Sequence, residues 1–316
     1  MKRIVLDTDL AMGAGSDIDD GFALALALSE QQLAVDLVTT VDGNCDAETA
    51  ALLTCELLER LHVTGVPVVT GARGPITRPD LARHAPPEIV ERYGHHQPTP
   101  GYAPVAMVEY VLAHPGEVTV VAIGPLTNLA TAISLEPRFA QAVAGFMIMG
   151  GMFLGQTGYS RHGGEFNVWH DPEAARAVLN SGVPQRWVGL DVTLQVRLTR
   201  SHAESLRDSG REFGTFAGEA SLTWIDELAR RQPGDPLSAE SCAMHDPLAV
   251  AALAQPHLVT FREARVDVVT DSSFARGITV TDLLREDTAP QPNCEVAVDV
   301  DAAGFVSYFL EQITTL

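Results

Sequence analysis

Cysteine is scarce in this chain of 316 residues. There are four, Cys45, Cys55, Cys242 and Cys294, and no two show C-x-x-C spacing. That argues against a disulfide framework and a cysteine-ligated zinc site, so buried free thiols are the expectation. Positive charge is also scarce. Lys and Arg number 21 against 41 Asp and Glu, a formal net charge of −20, and Lys2 is the only lysine. Such a chain is not expected to bind nucleic acid or an anionic membrane by charge. It suits a neutral or cationic ligand, or a cation held by its own carboxylates. No apolar run approaches the roughly 20 residues needed to span a bilayer. No leader pattern precedes the first apolar run, because Met1-Lys2-Arg3 passes directly into it, and a cytoplasmic location is expected. No repeat or low-complexity linker divides the chain. With 46% apolar and 20% charged residues it reads as globular, and residues 1–316 are expected to form one domain.

What is present is concentrated at the start. Ile4-Val5-Leu6 has the character of a buried parallel strand. It runs into Asp7-Thr8-Asp9, a Gly/Ala/Ser-rich turn within Leu10–Ile18, then Asp17-Ile18-Asp19-Asp20 and an apolar helical segment. Carboxylates therefore gather where a strand ends and a helix begins, the edge at which open α/β sheets bind ligands. Acidic residues favour a helix's first turn, which accounts for Asp19 and Asp20. It leaves Asp7 and Asp9, at the end of an apolar strand, without a reason. A cation would supply one, and hard oxygen ligands without a Cys or His pair favour Ca²⁺ or Mg²⁺ over Zn²⁺.

Further along, strands are expected at Val35–Val41, Val66–Val69, Val118–Ile123, Phe146–Met149 and Arg186–Leu190, with helices between them. Asp46 and Asp171 are expected to cap helices, Pro172 suiting the first position of the second. Residues 73–104 are rich in Pro, His and Arg and read as a long irregular surface segment. Helices are expected around Ser201–Asp208, Ala217–Arg231 and Pro247–Leu253. The tail reads as strands at Arg265–Thr270, Gly277–Thr281 and Glu295–Val300 and a closing helix at Phe305–Leu316. The alternation implies an α/β fold with a mostly parallel central sheet covered by helices on both faces.

The opening pattern, DTD and a glycine-containing turn followed by DD, resembles the N-terminal motif of the inosine–uridine preferring nucleoside hydrolases, although the turn here is longer. Four more stretches resemble that family in the same order. They are Val120–Ala130 (VVAIGPLTNLA), Glu165-Phe166-Asn167 with Asp171–Ala175, Met244–Pro247 (MHDP) and Arg276–Asp282 (RGITVTD). The resemblance implies a calcium-dependent hydrolase that cleaves the N-glycosidic bond of ribonucleosides. By the same resemblance Asp9, Asp20, Asp246 and the carbonyl of Ile123 hold Ca²⁺, and Asp9 is the general base toward the attacking water. Asp19, Asn44, Glu165 and Asn167 bind ribose hydroxyls, and Met152 lies against the sugar. His245 serves the leaving base, Asp7 supports the site from behind, and a homo-oligomer, dimer or tetramer, is expected.

Read alone, several of these residues have plainer roles. Asn44 after Gly43 is ordinary turn chemistry, Met152 ordinary core, and His245-Asp246-Pro247 an ordinary helix entry. The family usually carries an Asn upstream of Glu165; here only Gln156–His162 is available, with Tyr159 near that place. His95 and His96 could supply a loop histidine near the base. No Lys or Arg is among the residues named, so nucleosides are expected to be preferred over their 5′-monophosphates. Two other readings remain, a hydrolase of another riboside and a non-catalytic ribose-binding protein. A strand ending in Asp-x-Asp also opens haloacid-dehalogenase-like phosphatases. Leu10-Ala11 after the second Asp, and the lack of a later lysine, argue against that.

Overall fold

In the computed structural model, the apolar run Ile4–Leu6 lies in strand β1 (Lys2–Thr8), buried from Ile4 onward. The structure describes residues 1–12, 16–85, 87–155, 163–283 and 290–316. Strands β2 (Leu33–Thr40), β3 (Val68–Thr70), β4 (Val118–Ala122), β5 (Gly145–Met149) and β6 (Gln185–Val188) follow, with helices between them. β7 (Arg197–Thr199) and β8 (Ser241–Ala243) form a separate antiparallel ribbon. β9 (Val259–Val268), β10 (Thr279–Asp282) and β11 (Cys294–Val300) complete a nine-stranded sheet in the order β10-β9-β11-β6-β5-β4-β1-β2-β3. From β3 to β11 neighbouring strands are parallel; the pairs of β9 with β11 and β10 are antiparallel. The mostly parallel α/β sheet expected from the alternation is present.

The order places a switch point beside β1. The chain leaves β1 for β2 and β3 on one side and returns to β4 on the other. Connections diverge there, and a crevice opens beyond the carboxyl ends of β1 and β4. Asp7 is in register with Thr39 on one side and Ala122 on the other, so Asp9 and Ile123 leave the sheet together.

One apolar cluster lies on each face. On one, the helix Asp19–Ser29 packs Phe22 edge-on against Phe213 and Phe309, ring centroids 6.2 and 5.2 Å apart. On the other, Met107, Leu129, Phe139, Val178 and Trp187 cover the sheet. The cap positions hold: Asp46 accepts from Thr49 N at 2.9 Å and Asp171 from Ala174 N at 3.0 Å. All four cysteines are free.

Some boundaries differ from expectation. The segment 73–104 contains a 3₁₀ turn, Pro79–Leu81, and a helix, Pro87–Tyr93, and its end already belongs to the helix Ala103–Ala113, with Pro104 in the first turn. β9 starts at Val259 rather than Arg265, because an edge-side strand tolerates the exposed Thr260 and Glu263 that interrupt its apolar pattern. The short helix Phe166–His170 and the β7–β8 ribbon are too brief to show a period.

Phe22 fastens the acidic helix to the core. Phe22→Ala should lower stability by about 3–5 kcal/mol in denaturant titration, whereas Leu135→Ala, at a side chain 56% exposed, should shift it by no more than about 0.5 kcal/mol. Equal effects at the two positions would show that the ring cluster is not what holds this helix.

Candidate active site

Asp9 lies just past β1 and is fully buried. Two glycines let neighbouring loops close over it: a Cβ on Gly43 would overlap its Oδ2, and one on Gly124 would lie 3.0 Å from its Oδ1. Asn44 N donates to Asp9 Oδ2 at 2.6 Å, while Oδ1 has no hydrogen-bond partner among the described residues. Asp20 stands beside it at the start of its helix. It accepts from the Thr8 hydroxyl and, at 3.4 Å, from Asn44 Nδ2. Asp246, in the first turn of the helix His245–Ala254, donates its backbone N–H to Asp19 Oδ2 at 3.5 Å.

Asp19, Asp20 and Asp246 are all buried, and each places a carboxylate oxygen within 4.8 Å of the others. At that separation two full charges repel by about 3–4 kcal/mol at an effective dielectric of 20. Three ionised carboxylates thus oppose folding by about 10 kcal/mol, as much as the whole stability of a typical domain. Without a cation the relief is protonation. Burial pushes the carboxyls of Asp19 and Asp20 up to about 6, and burial together with neighbouring carboxylates pushes Asp9, Asp17 and Asp246 well up. The unpartnered Asp9 oxygen and an all-oxygen donor set fit a hard divalent cation. The close trio contains Asp19, where the sequence places Asp9 among the ligands and gives Asp19 to the sugar. Asp9 sits beneath, against Asp20.

Asp7 faces away from the cavity. Thr39 Oγ1 and Asn128 Nδ2 donate to its Oδ1 at 2.7 and 2.8 Å, and burial raises its carboxyl to about 7. Ile123 turns its carbonyl toward Asn167, whose Nδ2 donates to it at 2.8 Å. Glu165 caps the helix Phe166–His170, accepting from Asn167 N at 2.8 Å and Val168 N at 3.0 Å, and from Gly151 N at 3.0 Å. Above these groups opens a cavity of about 640 Å³. Asp19, Asn44, Ile123, Met152, Glu165, Asn167, His245 and Asp246 all line it. His245 contacts Thr193 Oγ1 through Nδ1 at 2.8 Å, and burial draws its imidazole pKa below the ordinary value.

Two expectations fail. His96 pairs with Glu56 at 2.9 Å, and neither it nor His95 lines the cavity. The cavity is also not devoid of cations: Arg83, Arg197 and Arg231 line it, with Trp224. Asp17 lines it too, reaching toward Trp224. No local pattern signals these residues, since an Arg or Trp on an amphipathic helix or a three-residue strand reads as surface or core. Nor does one signal the buried pair of His170 Nε2 with Asp42 Oδ2, 2.8 Å, behind the Asn44 loop. Residues 13–15 of the long first turn, and 156–162 with Tyr159 and Arg161, lie outside the described residues.

This geometry can be set beside known proteins. The chain is 32% identical over 302 residues to the pyrimidine-specific ribonucleoside hydrolase RihA of Enterobacter sp. (strain 638), covering 93% of this chain and 94% of that protein. The RihA of Escherichia coli O7:K1 matches with the same identity and coverage. Among solved structures, a plant nucleoside hydrolase superposes with a TM-score of 0.87 at 29% identity, covering 100% of this chain and 99% of the other. The purine-preferring ribonucleoside hydrolase from Gardnerella vaginalis gives 0.84 at 26% identity, covering 99% and 98%. The sequence pattern of inosine-uridine preferring nucleoside hydrolases matches residues 4–307. With the acidic crevice at its switch point and this match along almost its whole length, the chain belongs to the inosine-uridine preferring nucleoside hydrolase family.

Proposed function

We propose that the protein, acting as one domain, hydrolyses the N-glycosidic bond of ribonucleosides with Ca²⁺ as its cofactor, releasing ribose and free base. The observation that carries this reading is the buried trio Asp19, Asp20 and Asp246, with Asp9 beside it, of which Asp19 and Asp246 line a cavity large enough for a nucleoside. Asp9, Asp20, Asp246 and the Ile123 carbonyl are the proposed ligands, and Asp19 is close enough to share the ion. When bound, calcium makes water easier to deprotonate and fixes a sugar diol.

The chain's own groups do the rest. Asp9, buried and with one unpartnered oxygen, takes the proton of the attacking water. Asp19, Asn44, Glu165 and Asn167 receive the ribose hydroxyls. Asn167 spends its amide N–H on Ile123 and leaves its carbonyl oxygen to accept. Glu165 is fixed in direction by three backbone N–H groups and lines the cavity. Met152 lies against the sugar. Asp7, held by Thr39 and Asn128, keeps the end of β1 in place. His245 meets the departing base. Carboxylates around the ribose suit the positive charge that develops there as a glycosidic bond breaks.

Metal and protons should compete. Asp19 and Asp20 titrate near 6 in the metal-free fold, above the ordinary carboxyl value of 3.8, so that fold holds more protons than the unfolded chain. Its stability should therefore fall as pH rises from about 4 through about 6, and calcium should restore it. Calorimetric titration with Ca²⁺ should show proton release at pH 5.5 and tighter binding at pH 7.5. Calcium affinity that does not change between the two would refute the proposed site, as would stoichiometric Zn²⁺ in protein purified without added metal.

Single substitutions separate the carboxylates. Asp20→Ala should lose calcium and turnover together. Asp9→Asn should retain calcium while slowing turnover by about 10²- to 10⁴-fold, the usual worth of a general base. Full activity in Asp9→Asn would mean that another group takes the proton.

His245→Ala should slow natural nucleosides strongly while sparing p-nitrophenyl riboside, whose leaving group needs no proton. Equal slowing of both substrates would make His245 a shaping residue rather than the acid.

A further inference from the structure

The cavity also carries a positive charge that the mechanism above does not use. Arg197 lines the cavity on β7, in register with Ala243 of β8, two residues before His245. Its side chain is held at two points. Nε donates to Ser241 Oγ at 2.7 Å and Nη2 to the Ser241 carbonyl at 2.9 Å. Both acceptors are neutral. Among the described residues no carboxylate lies within the 4.0 Å of an ion pair, and Nη1 makes no hydrogen bond.

The other two cavity arginines differ. Arg231 is paired with Glu227 at 2.6 Å and lies over the Trp224 ring at 5.2 Å. Arg83 is exposed and lies on the far side, 6.0 Å from the ring of Phe166. Arg197 is thus the cavity cation that is half-buried, fixed in direction and without an ion-pair partner among the described residues, Asp235 being the cavity carboxylate that feels its field from further off. A fixed guanidinium retains its charge at every working pH and offers donors only.

We propose that Arg197 is a catalytic and specificity-determining residue whose guanidinium donates to a carbonyl oxygen of the departing base, selecting oxo-bases over bases that present an amino group there. The inference rests on the N-glycosidase reading above. As the C1′–N bond breaks, its electron pair passes to the base and spreads onto the base's carbonyl oxygen. The water oxygen bonds to C1′ and its proton goes to Asp9. The base nitrogen takes up one proton at His245, so one water is consumed and ribose and neutral base leave. A cation already aimed at that oxygen stabilises the charge as it forms, without reorganisation. An amino group in the same place sets donor against donor, and a site built for a hydrogen bond rejects the partner that cannot complete it.

The test uses the calcium-loaded full chain and compares uridine with cytidine, which differ at one such oxo/amino position. Wild type should favour uridine in kcat/KM by at least about tenfold. Arg197→Met should lose about 10²- to 10³-fold on uridine, the usual cost of removing one preorganised donor, and less than about tenfold on cytidine, so the preference collapses. Arg197→Lys should recover part of the uridine rate. Unchanged calcium affinity in both variants checks that the site is still assembled. Equal losses on the two substrates would make Arg197 merely structural and overturn the inference, as would an unchanged uridine rate or a wild type that does not distinguish the substrates. A wild type that releases no ribose from any riboside would bring down the N-glycosidase reading, and this inference with it.

Discussion

Mutual repulsion among buried carboxylates is the constraint around which the crevice is built. Asp9, Asp19, Asp20 and Asp246 come from three separate segments, and none is shielded by Lys or Arg in an ion pair among the described residues. Asp9, Asp20 and Asp19 are instead oriented by neutral donors, Asn44 N on Asp9, the Thr8 hydroxyl on Asp20 and Asp246 N on Asp19. Neutral donors fix direction without cancelling charge. Among the described residues these acids have no Lys or Arg in an ion pair, and the cost is offset by protons, including one carried by His245 near Asp19, or by a cation from outside. The rest of the chain supplies the rigidity this needs. Phe22 locks the acidic helix to Phe213 and Phe309, and Gly43 and Gly124 let the loops approach Asp9 closely.

How much of this could be read beforehand follows from the length scale of each signal. The apolar run of β1, with acids at its end, is a local pattern with one physical explanation. It announced both the parallel strand and the carboxyl-edge site. The sheet followed from alternation over many elements. Shorter features carry no period. The ribbon of Arg197–Thr199 with Ser241–Ala243 joins residues 42 to 46 apart through three-residue strands, and no local signal predicts such a pairing. Arg197 was missed for that reason. The motifs were legible as motifs, but several of their residues turn out to be scaffold. Asn128 ties helix to strand by donating to Asp7 and to the Thr40 carbonyl. Thr127 donates to Asp171 at 2.7 Å, and Arg276 grips Glu173 with two bonds at 2.8 and 2.9 Å. A motif signals that a residue is required without telling whether it touches substrate or only holds something that does.

The cavity is lined by carboxylates and by a fixed guanidinium, and the proposed reaction has work for both signs. Breaking a C1′–N bond separates charge, positive on the sugar and negative on the base. A site uniformly acidic would favour the first and oppose the second; a uniformly basic one would do the reverse. Here Asp19, Asp246 and Glu165 line the cavity with Asp9 and Asp20 buried next to them, and Arg197, Trp224 and His245 line it too, with the carboxylate of Asp17 beside Trp224. A cation among the acids does not cancel them, because four carboxylates outnumber one divalent ion's charge. Substrate lying with ribose by these acids and base by Arg197 has each half facing the sign that its charge will need. The same arrangement costs little before reaction, since a neutral nucleoside has no net charge for either side to repel. Such groups hold the transition state more strongly than the ground state, and only that difference accelerates a reaction. The β7–β8 ribbon is the part of the fold that makes this possible. It carries Arg197 into the cavity, and His245 follows two residues after β8 at the start of its own helix.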